Sequence, residues 1–119
     1  MTIPVRTLRE LLRHLQAWQS LYETEGKDVI TGPDGTQYCI HDIWTLVREG
    51  VPHLSPRQRQ AISLFLLHNL PERKVAQIMG VSEDNPVASY ATQGIVRLNQ
   101  MISLGQIPGY SRAREPVDA

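Results

Sequence analysis

The side chains best suited to chemistry in this sequence are one cysteine and four histidines. Cys39 and His41 are separated by one residue, and His53 follows twelve positions later. Thiolates and imidazoles are ligands that zinc prefers. Structural zinc sites take four ligands in paired spacings, and the sequence has no second Cys/His pair. A cysteine nucleophile would need a neighbouring base, and no glycine-rich elbow, phosphate loop or carboxylate pair accompanies Cys39. We predict no metal, no cofactor and no enzymatic activity.

The charges balance overall but not along the chain. Twelve basic and twelve acidic side chains give a net charge of zero. Residues 1–50 carry five basic and seven acidic side chains, and residues 51–103 carry five and three. Zero net charge argues against a protein that coats nucleic acid non-specifically, because such binding depends on neutralising many phosphates. The net charge of +2 in residues 51–103 is compatible with a basic face in this half of the chain.

The sequence also indicates where the protein works. A single cysteine excludes an intramolecular disulfide, and the N-terminus lacks the apolar run of a signal peptide. The longest apolar stretch is far shorter than the roughly 20 residues of a membrane-spanning helix. We expect a cytoplasmic protein.

The first half predicts a helix, a hairpin and a short helix. Apolar residues at helical spacing predict a helix over residues 7–23, with Thr7 and Glu10 as its capping box. Residues 28–40 surround a Pro-Asp-Gly turn and predict a β-hairpin. Asp42 is expected to cap a helix over residues 43–49 that stops at Gly50.

The second half predicts three helices. Ser55 and Pro56 are an N-cap followed by proline at the first helical position, and that helix is expected to end near Asn69. A helix opened by Pro71 should end at Gly80. Asn85 and Pro86 repeat the cap-then-proline pattern and open the longest helix, in which Gly94 predicts close approach of a neighbouring helix.

The fold class predicted is therefore mainly α, with an N-terminal helix and a small β-hairpin. We expect three parts: residues 1–50 packed on the rest, a helical domain over residues 51–103, and a flexible tail over residues 104–119.

Residues 72–82 have the layout of a helix-turn-helix. Ala76 is small enough for a second helix to cross closely, and Gly80 can adopt the positive φ of a sharp turn. With the preceding helix, from Leu54 onward, the segment resembles region 4 of bacterial sigma factors and, less closely, the effector domains of response regulators. The whole chain looks most like small helix-turn-helix proteins of actinobacterial bacteriophages.

This resemblance implies a module whose second helix enters the major groove of double-stranded DNA and which also docks on RNA polymerase. The reading helix would begin at Pro86. Its expected base-reading residues, among which Gln93 suits a bidentate contact with adenine, are Val87, Ser89, Thr92 and Gln93. The expected phosphate-contacting residues are Arg57, Arg59, Arg73, Lys74 and Arg97. Five such contacts correspond to a salt slope of about −4 to −5.

Two features keep alternatives open. The reading helix has one basic residue, Arg97, whereas such helices in the family tend to carry several, and Glu83 and Asp84 precede it. The leading hypothesis is a small DNA-binding transcriptional regulator, with a homodimer or a partner protein adding to its contacts. The alternatives are a module that docks on RNA polymerase or another host factor without reading DNA, and a small-terminase-like DNA-packaging subunit.

Overall fold

The computed structural model describes residues 3–82 and 86–110. Within these ranges the chain forms six α-helices and one two-stranded antiparallel hairpin, so the mainly α fold class is confirmed. None of the described helices is long and apolar enough to cross a membrane.

The N-terminal helical region consists of two helices, α1 (Val5–Arg13) and α2 (Leu15–Glu25), so the single helix predicted over residues 7–23 is wrong. The break is at His14, whose φ of −102° and ψ of 5° leave the helical region. The predicted capping box is also wrong, because α1 begins after Pro4, whose carbonyl accepts from the amide of Leu8 at 2.9 Å. Thr7 is inside the helix and buried. Helix α1 thus begins two residues before the start that the cap pattern indicated.

The two helices differ in how they pack. The inward side of α1 is fully buried in the core, whereas Leu15 is the one residue of α2 that is buried. The bend at His14 keeps Leu15 inside while the rest of α2 runs along the surface, where Leu21 and Tyr22 are largely exposed.

The hairpin is confirmed, with strands β1 (Val29–Thr31) and β2 (Gln37–Cys39) in the register Ile30 opposite Tyr38. Asp34 stabilises the turn by accepting hydrogen bonds from the Thr36 amide at 3.1 Å and the Tyr38 hydroxyl at 2.8 Å. Slight desolvation raises the pKa of Asp34, but these hydrogen bonds together outweigh it and hold that pKa below its ordinary value.

Helix α3 (Ile40–Gly50) begins directly at the end of the hairpin. The prediction that Asp42 caps it is wrong: Cys39 is the N-cap residue, and Asp42 is buried within the first turn. Helix α3 begins three residues before the predicted start at residue 43, and Gly50 is its last residue and not a stop after it, since the chain continues into a 3₁₀ turn, Val51–His53.

The next helix confirms the Ser55 cap. Helix α4 (Pro56–Ala61) has a capping box in which the Ser55 side chain accepts from the Gln58 amide and the Gln58 side chain accepts from the Ser55 amide. It continues as a π-helical segment, Ile62–Leu67, in which the His68 amide donates to the Ser63 carbonyl at 2.9 Å. The helical region ends two residues before Asn69, which has a positive φ of 57° in the turn that follows.

Helices α5 (Glu72–Met79) and α6 (Pro86–Ser103) complete the fold. The predicted cap residue of α6, Asn85, lies outside the described residues. At Gly94, α6 approaches the helical region that contains α4 and the π-helical segment. A Cβ at this position would lie 2.5 Å from Cδ1 of Ile62 and 3.4 Å from Cδ1 of Leu54. The predicted close approach at Gly94 is therefore confirmed.

The segment after α6 folds back over α3. Ile107 is buried near Gly50, where an added Cβ would lie 3.2 Å from its Cδ1. Burial, reinforced by the negative charge of Asp42, raises the pKa of Tyr110 to about 12. The part of the predicted tail up to Tyr110 thus contributes to the packed structure, and residues 111–119 lie outside the described ranges.

We predict that Gly94→Val destabilises the protein by about 1–3 kcal/mol, because its side chain must displace the fully buried Ile62. Urea unfolding followed by circular dichroism measures the change. Ser103→Val, which places the same side chain on an exposed position of α6, should change the stability far less. Equal stability of Gly94→Val and the unsubstituted protein would contradict the packing.

Candidate nucleic-acid interface

The chain leaves α5 through a hydrogen-bonded turn at Gly80 and Val81. Gly80 has a φ of +68°, its amide donates to the Gln77 carbonyl at 3.3 Å, and the Val81 amide donates to the Ala76 carbonyl at 3.0 Å. This pair of bonds is the Schellman motif, which satisfies the last carbonyls of a helix and turns the chain sharply. Ala76 is buried, as a small residue at the crossing of two helices should be. The turn predicted at Gly80 is confirmed.

An exposed polar stripe runs along α6. Ser89, Gln93 and Arg97 recur every four residues, so they lie on one face of the helix, and all three are exposed. The Gln93 side-chain amide donates to the Ser89 hydroxyl at 3.4 Å. The structure therefore brings together two predicted base-reading residues and one predicted phosphate contact on a single outward face.

The other two residues predicted to read bases lie elsewhere. Val87 has no exposed surface and packs in the core, so its side chain faces away from the stripe, and in this structure it is not available to DNA. Thr92 is half-buried on the flank of the stripe. The sequence pattern placed Val87 outward because it followed the start of α6, but α6 packs through the face that carries Val87, Ala91 and Leu98.

The predicted phosphate contacts fall into two groups. Arg73 and Lys74 are exposed in the first turn of α5, and Arg97 is exposed on α6. Arg57 and Arg59 are near the start of α4, where a guanidinium nitrogen of Arg57 donates to the Met79 carbonyl at 2.9 Å. Arg57 therefore ties α4 to the end of α5.

The acidic residues expected at the entrance to α6, Glu83 and Asp84, lie outside the described residues. The structure describes α6 from Pro86 onward.

Helix α1 also touches α6, which the sequence did not indicate. The Ile3 amide donates to Oδ1 of Asn99 at 2.8 Å, and the Asn99 amide nitrogen donates to the Ile3 carbonyl at 2.6 Å. About two turns nearer the start of α6, a terminal guanidinium nitrogen of Arg9 donates to Thr92 Oγ1 at 2.6 Å. Such pairs join residues more than 80 positions apart, and no local pattern in the sequence could have identified them.

Cys39 and His41 lie beside a cavity next to α3. Cys39 is buried and His41 is exposed beside a cavity of about 750 Å³ between α2 and α3, which is also lined by Tyr22 and Trp44. Among the described residues, no group of three or more His, Cys, Asp or Glu side chains is placed to hold a metal ion.

Comparison with known families matches part of this chain. Residues 45–98 match the family described as sigma-70, region 4. The match begins within α3 and ends within α6, so it covers the helix-turn-helix and slightly less than half of the chain. No curated protein and no solved structure gives a match.

We predict that Arg57→Gln lowers the free energy of unfolding by about 0.5–1.5 kcal/mol, the usual net value of one hydrogen bond, because the Met79 carbonyl loses its side-chain donor. Arg59→Gln is the matched control, since its longest-range contact is a 3.5 Å approach to the Pro52 carbonyl. Urea unfolding of both variants checks this. Equal loss in the two variants would show that the Arg57 bond does not stabilise the turn.

Proposed function

We propose that this protein is a small DNA-binding regulator of transcription, because residues 45–98 match the sigma-70 region 4 family, which is a DNA-binding and non-enzymatic family. The observation that carries the proposal is the outward stripe of Ser89, Gln93 and Arg97 on α6, directly after the turn. In a helix-turn-helix, side chains on this part of the second helix face the major groove.

The stripe has chemistry that suits base edges. A glutamine amide carries a donor and an acceptor at one end, which match N7 and the amino group of adenine. The contact between Gln93 and Ser89 holds both side chains on the same face of α6. We propose Gln93 as the principal base-reading residue, with Ser89 beside it, and leave out Val87 because its side chain is buried.

The phosphate contacts proposed are those on the helix-turn-helix and on α4. Arg73 and Lys74 at the start of α5 and Arg97 on α6 would position the module on the backbone, with Arg57 and Arg59 as further basic groups. Five contacts are few for a DNA reader, which favours a second copy or a partner protein on the same DNA. Light scattering in solution separates a monomer from a homodimer and from the large ring that a packaging subunit would require.

A second candidate function is docking on RNA polymerase, which sigma region 4 domains bind. It is favoured by the C-terminal part of α6 and the residue that follows the helix: Val96 is 42% exposed and Leu104 is 69% exposed. The sequence has no charged residue from Leu98 to Tyr110, so this end of the helix is apolar or uncharged. A protein surface is a better partner for it than DNA is. Either function would act in the cytoplasm of a bacterial or phage-infected cell, where DNA and polymerase are.

For DNA binding, we predict that Gln93→Ala lowers the preference for a selected site over random duplex roughly tenfold or more, because a base contact is lost. Arg97→Gln should instead weaken binding to every DNA sequence and reduce the salt slope by about 0.9, because a phosphate contact is lost. Fluorescence anisotropy with sites selected from random DNA measures both. Gln19→Ala, on α2, makes the same change away from α6 and should leave binding unaltered. Failure of the unsubstituted protein to bind any duplex at low salt would contradict the proposal.

For polymerase docking, we predict that Leu104→Glu abolishes co-purification with bacterial RNA polymerase, because a carboxylate would replace the highly exposed leucine that directly follows α6. Leu21→Glu on α2 is the control for adding the same charge to another exposed leucine. Pull-down with purified polymerase checks the prediction. Equal retention of polymerase by Leu104→Glu and the unsubstituted protein would exclude this end of α6 as the docking surface.

A further inference from the structure

We propose that Arg9 and Thr92 together bind one backbone phosphate of DNA on the flank of α6. The inference rests on the DNA-binding function proposed above and adds a site to it. Arg9 belongs to α1, outside the residues 45–98 that match the family, so the family match assigns it no role.

The two side chains form a unit that presents donors. A terminal nitrogen of the Arg9 guanidinium donates to Thr92 Oγ1 at 2.6 Å, and both residues are half-buried. Because this oxygen already accepts from Arg9, the hydroxyl proton of Thr92 is available to donate elsewhere. A guanidinium and a hydroxyl donor side by side complement the oxygens of a phosphate.

The charge of Arg9 is not balanced by another side chain. Among the described residues, no carboxylate lies within ion-pair distance of Arg9, and its Nε is buried without a hydrogen-bond partner. A partly buried charge without a counterion is unfavourable, and an anion placed against the guanidinium offsets that cost. The positive charge of Arg9 is therefore available to interact with an anion that approaches its terminal nitrogens.

The pair is also placed where DNA would lie. Thr92 immediately precedes Gln93 and follows Ser89 by three residues, so on the helix surface Ser89 and Thr92 are neighbours, with Cβ atoms about 5–6 Å apart. When the stripe faces the groove, its flank faces the backbone that borders the groove. A phosphate is therefore the group of DNA closest to Arg9.

Helix α1 holds Arg9 rigidly against α6. At one end of α1, the reciprocal hydrogen bonds between Ile3 and Asn99 are buried. At the other end, the Arg13 guanidinium lies 4.5 Å from the centre of the Phe65 ring and donates to Asn69 at 3.1 Å. Arg9 lies between these two attachments, so little conformational entropy is lost when it binds an anion.

The test is the salt dependence of binding to a random 20-base-pair duplex, measured for the full chain by fluorescence anisotropy from 50 to 200 mM NaCl. Arg9→Gln should reduce the slope by about 0.9, which corresponds to roughly eightfold weaker binding at 0.1 M salt relative to the 1 M reference. Arg9→Lys should keep the slope, since the charge remains. Thr92→Val should weaken binding without changing the slope, and Thr92→Ser should restore it.

The control is Arg48→Gln, which removes one positive charge from an exposed position on α3, 61% exposed at the side chain, and should leave the slope unchanged. Circular dichroism establishes whether each variant is folded. If Arg9→Gln is not folded, the site is supported by two other results: Arg9→Lys keeps the salt slope, and Thr92→Val weakens DNA binding in a way that Thr92→Ser reverses. An unchanged slope in Arg9→Gln, together with a reduced slope in Arg97→Gln, would overturn this site and leave the proposed function standing.

Two further outcomes count against the proposal. If the unsubstituted protein binds no duplex at low salt, the proposed function and this site fail together. Binding of sodium phosphate in the absence of DNA is followed by the nuclear magnetic resonance signals of Arg9 and Thr92. If millimolar phosphate saturates these signals and Arg9→Gln keeps the salt slope of DNA binding, the pair is a free-phosphate site. The proposal of a DNA contact is then overturned.

Discussion

The close contact between α6 and the helical region that begins at Pro56 is the constraint on which the rest of the structure depends. At Gly94 the two helices approach so closely that a single added carbon would overlap Ile62. This contact decides which side of α6 faces inward, and with it the direction of every other side chain on that helix. The exposed stripe, the burial of Val87 and the position of Thr92 on the flank all follow from it.

Local features of the fold could be predicted from the sequence, and features that depend on distant contacts could not. Ser55 with Pro56, Gly80 and the Pro-Asp-Gly turn each act within a few residues, and each is found where the pattern placed it. The break at His14 depends on which side of the first helix the core covers, and Val87 is buried because of how α6 packs. Both are decided by partners far away in the chain.

The same distinction applies to the candidate site. Ser89 and Gln93 could be placed on one face from their spacing alone, because helix periodicity is a local property. The contact between Arg9 and Thr92 joins α1 to α6 and has no counterpart in any sequence pattern. The N-terminal region is thus more than a cover for the hydrophobic core, since it carries a charged side chain to the edge of the helix-turn-helix.

The π-helical segment Ile62–Leu67 affects how many residues fit between the two ends of its helical region. Its hydrogen bonds span five residues, so each turn takes up more residues than an α-helical turn does. The two ends of this helical region are held independently, by the Ser55 cap before it and by the bond between Arg13 and Asn69 after it. Between two such fixed points, the wider turns accommodate one residue more than a regular α-helix would. The protein therefore has, within a helix that packs against the core on one side, a place that can absorb a change in length normally confined to loops.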